Sequence, residues 1–226
     1  MEEYLNKIIC GDCLGVMKKL PDKCVDLVLT DPPYGIDYQS ARRTADKRKP
    51  KIANDKEPFT IWLKEASRIL KDNGGLLCFT RFDTEESFRQ AIREAGLTDK
   101  MQIIWDKVVH GMGDLVGDFA SQHENIIWAT KNKFKFPNKR PTSIFKVQRV
   151  DPEKLVHPNE KPIPLLYMLI DATTNKDDIV LDCFAGSGAT LVASQKTNRN
   201  FIGIEISPEY CKIAEERLKN LQGTLL

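Results

Sequence analysis

The sequence predicts an α/β protein built on a doubly wound, mostly parallel sheet. Apolar runs of strand length recur along the chain, rich in Val, Ile and Leu with little alternation, as in strands covered on both faces. Segments with helical spacing lie between several of these runs. Polar or glycine-rich residues gather where four of the runs end, which is where open α/β sheets bind ligands.

The expected strands are Lys7–Cys10, Val25–Thr30, 75–80, 101–105, 125–130, 179–184 and 201–206. Pro58 stands at a first-turn position, and Trp62, Ala66, Ile69 and Leu70 then mark one helical face. Asp83 and Glu86 have capping-box spacing; Phe88, Ala91, Ile92 and Ala95 follow, and Gly96 ends that helix. Ser207-Pro208 caps and starts a last helix, carrying Tyr210, Ile213, Ala214 and Leu218 inward.

The bulk properties fit this fold. The chain of 226 residues suits one domain, 1–226, with 41% hydrophobic and 29% charged residues. No apolar run approaches the roughly 18–20 residues that span a bilayer. The start, MEEYLNKIIC, lacks the basic-then-apolar pattern of a signal peptide, so a cytoplasmic location without a membrane partner is expected. Of the six cysteines, Cys10 and Cys13 form a lone C-x-x-C with no second pair at zinc spacing, and four sit in apolar runs. No metal is expected.

The strand ends suggest one crevice with two chemically different halves. In Asp182-Cys183-Phe184-Ala185-Gly186-Ser187-Gly188-Ala189-Thr190 a strand passes through a glycine turn into a helix, where the backbone can approach a ligand closely. Glu205 ends the next strand, where a carboxylate can accept the hydroxyl protons of a ribose. Leu191 occupies the third position of a G-x-G-x-x-G pattern, so a turn holding a zwitterionic amino-acid tail is favoured over a pyrophosphate cradle. In the other half, Asp31-Pro32-Pro33-Tyr34-Gly35 fixes its backbone with two prolines that have no N–H to donate. An aspartate beside a carbonyl offers two acceptors to an –NH2 group, and Tyr34 offers a flat face to a base, a stacking contact worth roughly 1–3 kcal/mol.

These motifs resemble those of the beta-class amino-methyltransferases of DNA. DPPYG looks like the family's motif IV and the DxFxGSG turn like motif I, in the permuted order of that class. His157-Pro158-Asn159-Glu160-Lys161-Pro162 looks like its motif X, and 121–131 is similar to its H-E-x-hydrophobic strand. The resemblance spans nearly the whole chain and implies a circularly permuted, seven-stranded, Rossmann-like methyltransferase sheet. It implies S-adenosylmethionine as cofactor, S-adenosylhomocysteine as product, and Asp12, Cys13, Asp31, His157, Lys161, Pro162, Asp182, Phe184, Ala185, Gly186, Ser187, Gly188, Thr190, Glu205 and Ile206 as cofactor contacts. Asp31, Pro32, Pro33 and Tyr34 become the catalytic residues. The base would be flipped from duplex DNA, a few kcal/mol of unstacking, and its amino group methylated directly. Asp31 favours adenine N6, because serine is usual at that position in the cytosine N4 enzymes.

Two basic stretches complete the reading. A substrate loop at about 36–57 carries Arg42, Arg43, Lys47, Arg48 and Lys49; a small target-recognition insert at about 107–150 carries Lys133, Lys135, Lys139 and Arg140. Both would neutralise phosphates of double-stranded DNA. A homodimer and a cognate restriction endonuclease are further partners that such a resemblance allows. Cytosine N4 methylation, methylation of RNA or of a protein glutamine, and an inactive DNA-binding relative remain the alternatives.

Overall fold

The computed structural model describes residues 1–35, 57–111, 116–117, 119–151 and 159–222. In chain order these form β1 (Lys7–Cys10), α1 (Cys13–Met17), β2 (Val25–Thr30), α2 (Leu63–Ile69), β3 (Leu70–Thr80), α3 (Glu85–Glu94), β4 (Thr98–Asp106), β5 (His123–Thr130), β6 (Ile144–Lys146), α4 (Ile163–Thr173), β7 (Ile179–Asp182), α5 (Ala189–Lys196), β8 (Asn200–Glu205) and α6 (Pro208–Gln222). One sheet holds all the strands in the order β1-β8-β7-β2-β3-β5-β4-β6. Neighbours from β1 to β3 are parallel, whereas β5 runs antiparallel to both β3 and β4.

From β2 the chain winds outward to β3, and from β7 it winds the opposite way to β8. Right-handed crossovers therefore put α2 and α5 on opposite faces. Helices α1, α2 and α3 pack in succession, as do α4, α5 and α6. Burial on both faces explains the runs without alternation: β2 shows one residue that is not fully buried, Asp26, and Leu27, Val28 and Leu29 are wholly enclosed. Strand order reverses between β7 and β2, and a crevice opens beyond their carboxyl ends.

All seven expected strands are present, and an eighth extends the sheet. Strand β6, Ile-Phe-Lys, adds to the β4 edge through a pairing of Ile104 with Ile144 and is too short to show a period in sequence. Other boundaries moved for local reasons. Phe59 N–H donates to the Pro33 carbonyl at 3.2 Å, which ties 58–62 into a turn; the helix starts at Leu63 rather than at Pro58. Leu70 leaves the helix with extended backbone and pairs with Val25, opening β3. The capping box does not form, because Arg81 holds both oxygens of Asp83 at 3.0 and 2.9 Å and the N-cap falls to Thr84. Strand β7 ends at Asp182, two residues before the expected limit, where the glycine turn begins. Ser207 does cap α6, accepting from Tyr210 N–H at 3.5 Å.

No helix among the described residues is long and apolar enough to cross a membrane.

Candidate active site

The glycine turn is held open by its neighbours. Gly186 and Gly188 have φ of 50° and 82°, and a Cβ at Gly188 would stand 2.7 Å from that of Ala214 on α6. Only glycine meets both demands. Glu205 stands between the turn and α6: one carboxylate oxygen accepts from Gly186 N–H and the other from Ser207 N–H, each at 2.8 Å. Its backbone carbonyl accepts from Gly11 N–H at 2.9 Å, which draws the end of β1 against the same site. Asp12 caps the short helix α1 through Gly15 N–H at 2.9 Å. The missing third glycine is explained here: Leu191 packs against Gly203 of β8, where a Cβ would meet the leucine at 2.5 Å. The space for close helix–strand packing is provided by the strand instead of the helix.

Asp182 lies under the turn. A single oxygen accepts from Thr30 Oγ1 at 2.7 Å and from Phe184 N–H at 3.1 Å. Burial pushes its carboxyl up to about 6, against the hydrogen bonds from Thr190, Thr30 and Phe184 that pull it down.

Asp31, just past the end of β2, forms the second half. Lys161 Nζ sits 2.7 Å from its Oδ2, and the Tyr34 hydroxyl donates to its Oδ1. Burial raises this carboxyl, Lys161 counteracts the rise, and the result stays above the ordinary aspartate value. The same ammonium lies 3.1 Å from Glu124 Oε2 and 4.9 Å from the centre of the Phe79 ring. Its desolvation is overcome by the Asp31 and Glu124 charges, so it remains protonated above the usual lysine range. Tyr34 is 7% exposed and meets Phe88 edge-on at 6.5 Å, and its hydroxyl helps to orient Asp31.

A single cavity joins the halves. Of the expected cofactor residues, Asp12, Cys13, Asp31, Lys161, Asp182, Phe184, Ala185, Gly186, Ser187, Thr190, Glu205 and Ile206 all line it, as does Pro33. Pro32, Tyr34, Pro162 and Gly188 are not in its wall. His157 lies outside the described residues. Sequence reasoning missed Phe59, Asn159, Glu160, Leu166, Ser207 and Tyr210, which also line the cavity. Phe59 and Trp62 meet the Phe184 ring edge-on at 6.0 and 5.5 Å, a cluster whose signal is only visible once 57–62 folds back on the DPPY turn. Gly35 lies against the backbone of Glu57 and Pro58, so the two ends of the basic loop meet.

The cavity suits an adenosine with a charged tail. Glu205 offers acceptors, the glycine turn admits a ligand to the backbone, and the carboxylates of Asp182 and Asp31 in the same wall are available to a cationic group. Among the described residues, no cluster of His, Cys, Asp and Glu could hold a metal ion.

The basic residues divide. Arg42, Arg43, Lys47, Arg48 and Lys49 lie outside the described residues. Lys133, Lys135, Lys139 and Arg140 are exposed, while Phe134 and Phe136 turn inward onto Trp128 at 4.8 and 6.1 Å. Lys133 and Lys135 follow the carboxyl end of antiparallel β5, the end of the sheet opposite Asp31. Lys131 is structural, its ammonium bonding the carbonyls of Ser67 and Leu70 at 2.7 and 2.8 Å. Lys146, beside Asp106 at the crevice end, is an exposed cation that sequence reasoning did not single out.

Comparison with known proteins agrees with this geometry. A family model described as DNA methylase (N6_N4_Mtase) matches residues 25–216. The putative methylase YubD of Escherichia coli (strain K12) is 31% identical over 225 residues, 98% of this chain and 93% of the relative. Type II methyltransferase M.HinfI of Haemophilus influenzae is 28% identical over 255 residues, 98% of this chain and 70% of the relative. The M1.HpyAVI–SAM complex superposes with a TM-score of 0.72 at 26% identity, covering 93% of this chain and 98% of that one. The match spans both halves of the crevice, and the chain belongs to the N6/N4 DNA methylase family: it is a DNA amino-methyltransferase that uses S-adenosylmethionine.

Proposed function

We propose that the enzyme methylates the exocyclic N6 amino group of an adenine flipped out of duplex DNA. The observation that carries this reading is the position of Asp31, in the wall of the same cavity as Gly186 and Glu205. When bound, S-adenosylmethionine supplies an electrophilic methyl group. The chain supplies position: Asp31 and the Pro32 carbonyl would hold the amino hydrogens and turn the nitrogen lone pair toward the cavity. Such positioning can contribute on the order of 7–11 kcal/mol to a barrier. Lys161 and Tyr34 fix the carboxylate, and each of its oxygens keeps a lone pair for the substrate. Adenine over cytosine rests on the resemblance, in which aspartate at this position goes with adenine.

Labelled methyl transfer to unmethylated duplex DNA, followed by digestion and nucleoside identification, tests the assignment. Label is expected in N6-methyladenosine, with Asp31→Ala losing at least ~100-fold in kcat, the scale of a positioned catalytic group. Label in N4-methylcytosine would overturn the base assignment. A homodimer over the duplex and a cognate endonuclease belong to the same proposal.

A further inference from the structure

Behind Asp31 runs a chain of alternating charges: Asp31, Lys161, Glu124 and Lys107, with Glu124 Oε1 lying 3.4 Å from Lys107 Nζ. The fold makes this chain possible. Strand β5 is antiparallel to β3, with Asn125 opposite Thr80, so its first residues stand beside the carboxyl ends of the parallel strands. Glu124 thus enters the active site from behind, without lining the cavity. Lys161, whose side chain is 10% exposed, is enclosed by two carboxylates and the Phe79 ring.

Charge balance gives Glu124 a task. As nitrogen attacks, the N–C bond forms and the C–S bond breaks, its electron pair passing to sulfur. The amino group must then lose one N–H proton. Asp31 is the acceptor within reach, because Lys161 is already protonated. Once Asp31 is neutral, a buried ammonium with no other partner would be an uncompensated charge. We infer that Glu124 is a positioning residue for methyl transfer, holding Lys161 against Asp31 and serving as its counter-ion when Asp31 takes up the proton. This inference rests on the functional reading above.

The groups that bear on Asp31 are Lys161, Glu124, Tyr34, Cys78 and Asp182, and those on Glu124 are Lys161, Lys107 and Tyr34. Glu124 raises the Asp31 carboxyl, whereas Lys161 and Lys107 hold Glu124 below its ordinary value despite burial. In Glu124→Gln the like charge is gone and Lys161 acts on Asp31 alone. Asp31 then becomes the weaker base.

The test begins with cofactor-free protein, following the Asp31 carboxyl by 13C NMR titration. Its midpoint is expected to fall by about one unit in Glu124→Gln, to return in Glu124→Asp, and to rise in Lys107→Met. In the loaded enzyme, kcat of Glu124→Gln should drop ~10-fold and its acid limb move to lower pH, with Kd for S-adenosylmethionine unchanged. If Glu124→Gln does not fold, the upward shift in Lys107→Met decides. A midpoint unmoved in the folded variants, or wild-type kcat in Glu124→Gln beside an active wild type, overturns the inference. A wild type that transfers no methyl overturns the functional reading, and the inference falls with it.

Discussion

Asp182 combines a buried carboxyl with three hydrogen-bond donors that do not fully offset its desolvation. The folded-state value of about 6 lies above the ordinary 3.8, so the folded protein binds this proton more tightly than the unfolded chain. Stability from this group is therefore complete below about pH 4 and lost as pH rises through 6. Asp182→Asn keeps an acceptor for Thr30 and Phe184 and removes the charge. Thermal unfolding at pH 8 should show it more stable by about 2–3 kcal/mol, the gain shrinking toward pH 5. Its cofactor affinity should fall, since a charge that burdens the fold is retained where a cationic ligand group can face it. Asp182, Asp31 and Glu205 were all legible as site residues because each stands at or just past a strand end. Glu124 and Lys107 were not, because nothing in their spacing connects them to a residue so far back along the chain.

Element packing explains why helix α5 tolerates Leu191 at a position where glycine would have been expected. Gly203 on β8 leaves the room, and a Cβ there would strike Leu191 at 2.5 Å. Gly203→Ala should destabilise by about 1–3 kcal/mol through overpacking. Leu191→Ala alone should also destabilise, through the cavity it leaves. The double variant should be more stable than the sum of the two costs predicts, by roughly 1 kcal/mol, in a denaturant-unfolding cycle. Additivity within error would remove this account of the departure from the glycine pattern. The sequence showed the missing glycine; it could not show the compensating one, which becomes a neighbour only when β8 pairs with β7 and α5 crosses both.

Across the whole molecule, sheet polarity decides which cations share the crevice end of the sheet. The substrate crevice lies at the carboxyl ends of β2 and β7, and β6 delivers Lys146 to that same end. Lys133 and Lys135 leave from the opposite end, behind an eight-residue strand that spans about 25 Å. Charge reversal at Lys146 should weaken duplex binding several-fold in fluorescence anisotropy and flatten the salt slope by about one. Reversal of both Lys133 and Lys135 should change affinity less than twofold. The opposite ranking would mean that DNA approaches the sheet from the far end. From sequence Lys133, Lys135 and Lys146 fall within one basic stretch, since local charge is blind to strand direction.

By itself the sequence determined the alternation of strands and helices, the two motifs at strand ends and many of the residues that line the cavity. These are local properties: a period, a glycine turn, a proline-fixed turn and a terminal carboxylate each declare themselves within a few residues. Only the tertiary structure decided that Lys161 serves Asp31, that Tyr34 packs against Phe88, and that Glu124 stands behind Lys161. Those contacts join segments far apart in the chain, brought together by the reversal of β5 and by strand order at β7 and β2. Pairing between segments so distant depends on the register of the assembled sheet, and register is a property of the fold rather than of any one stretch of sequence.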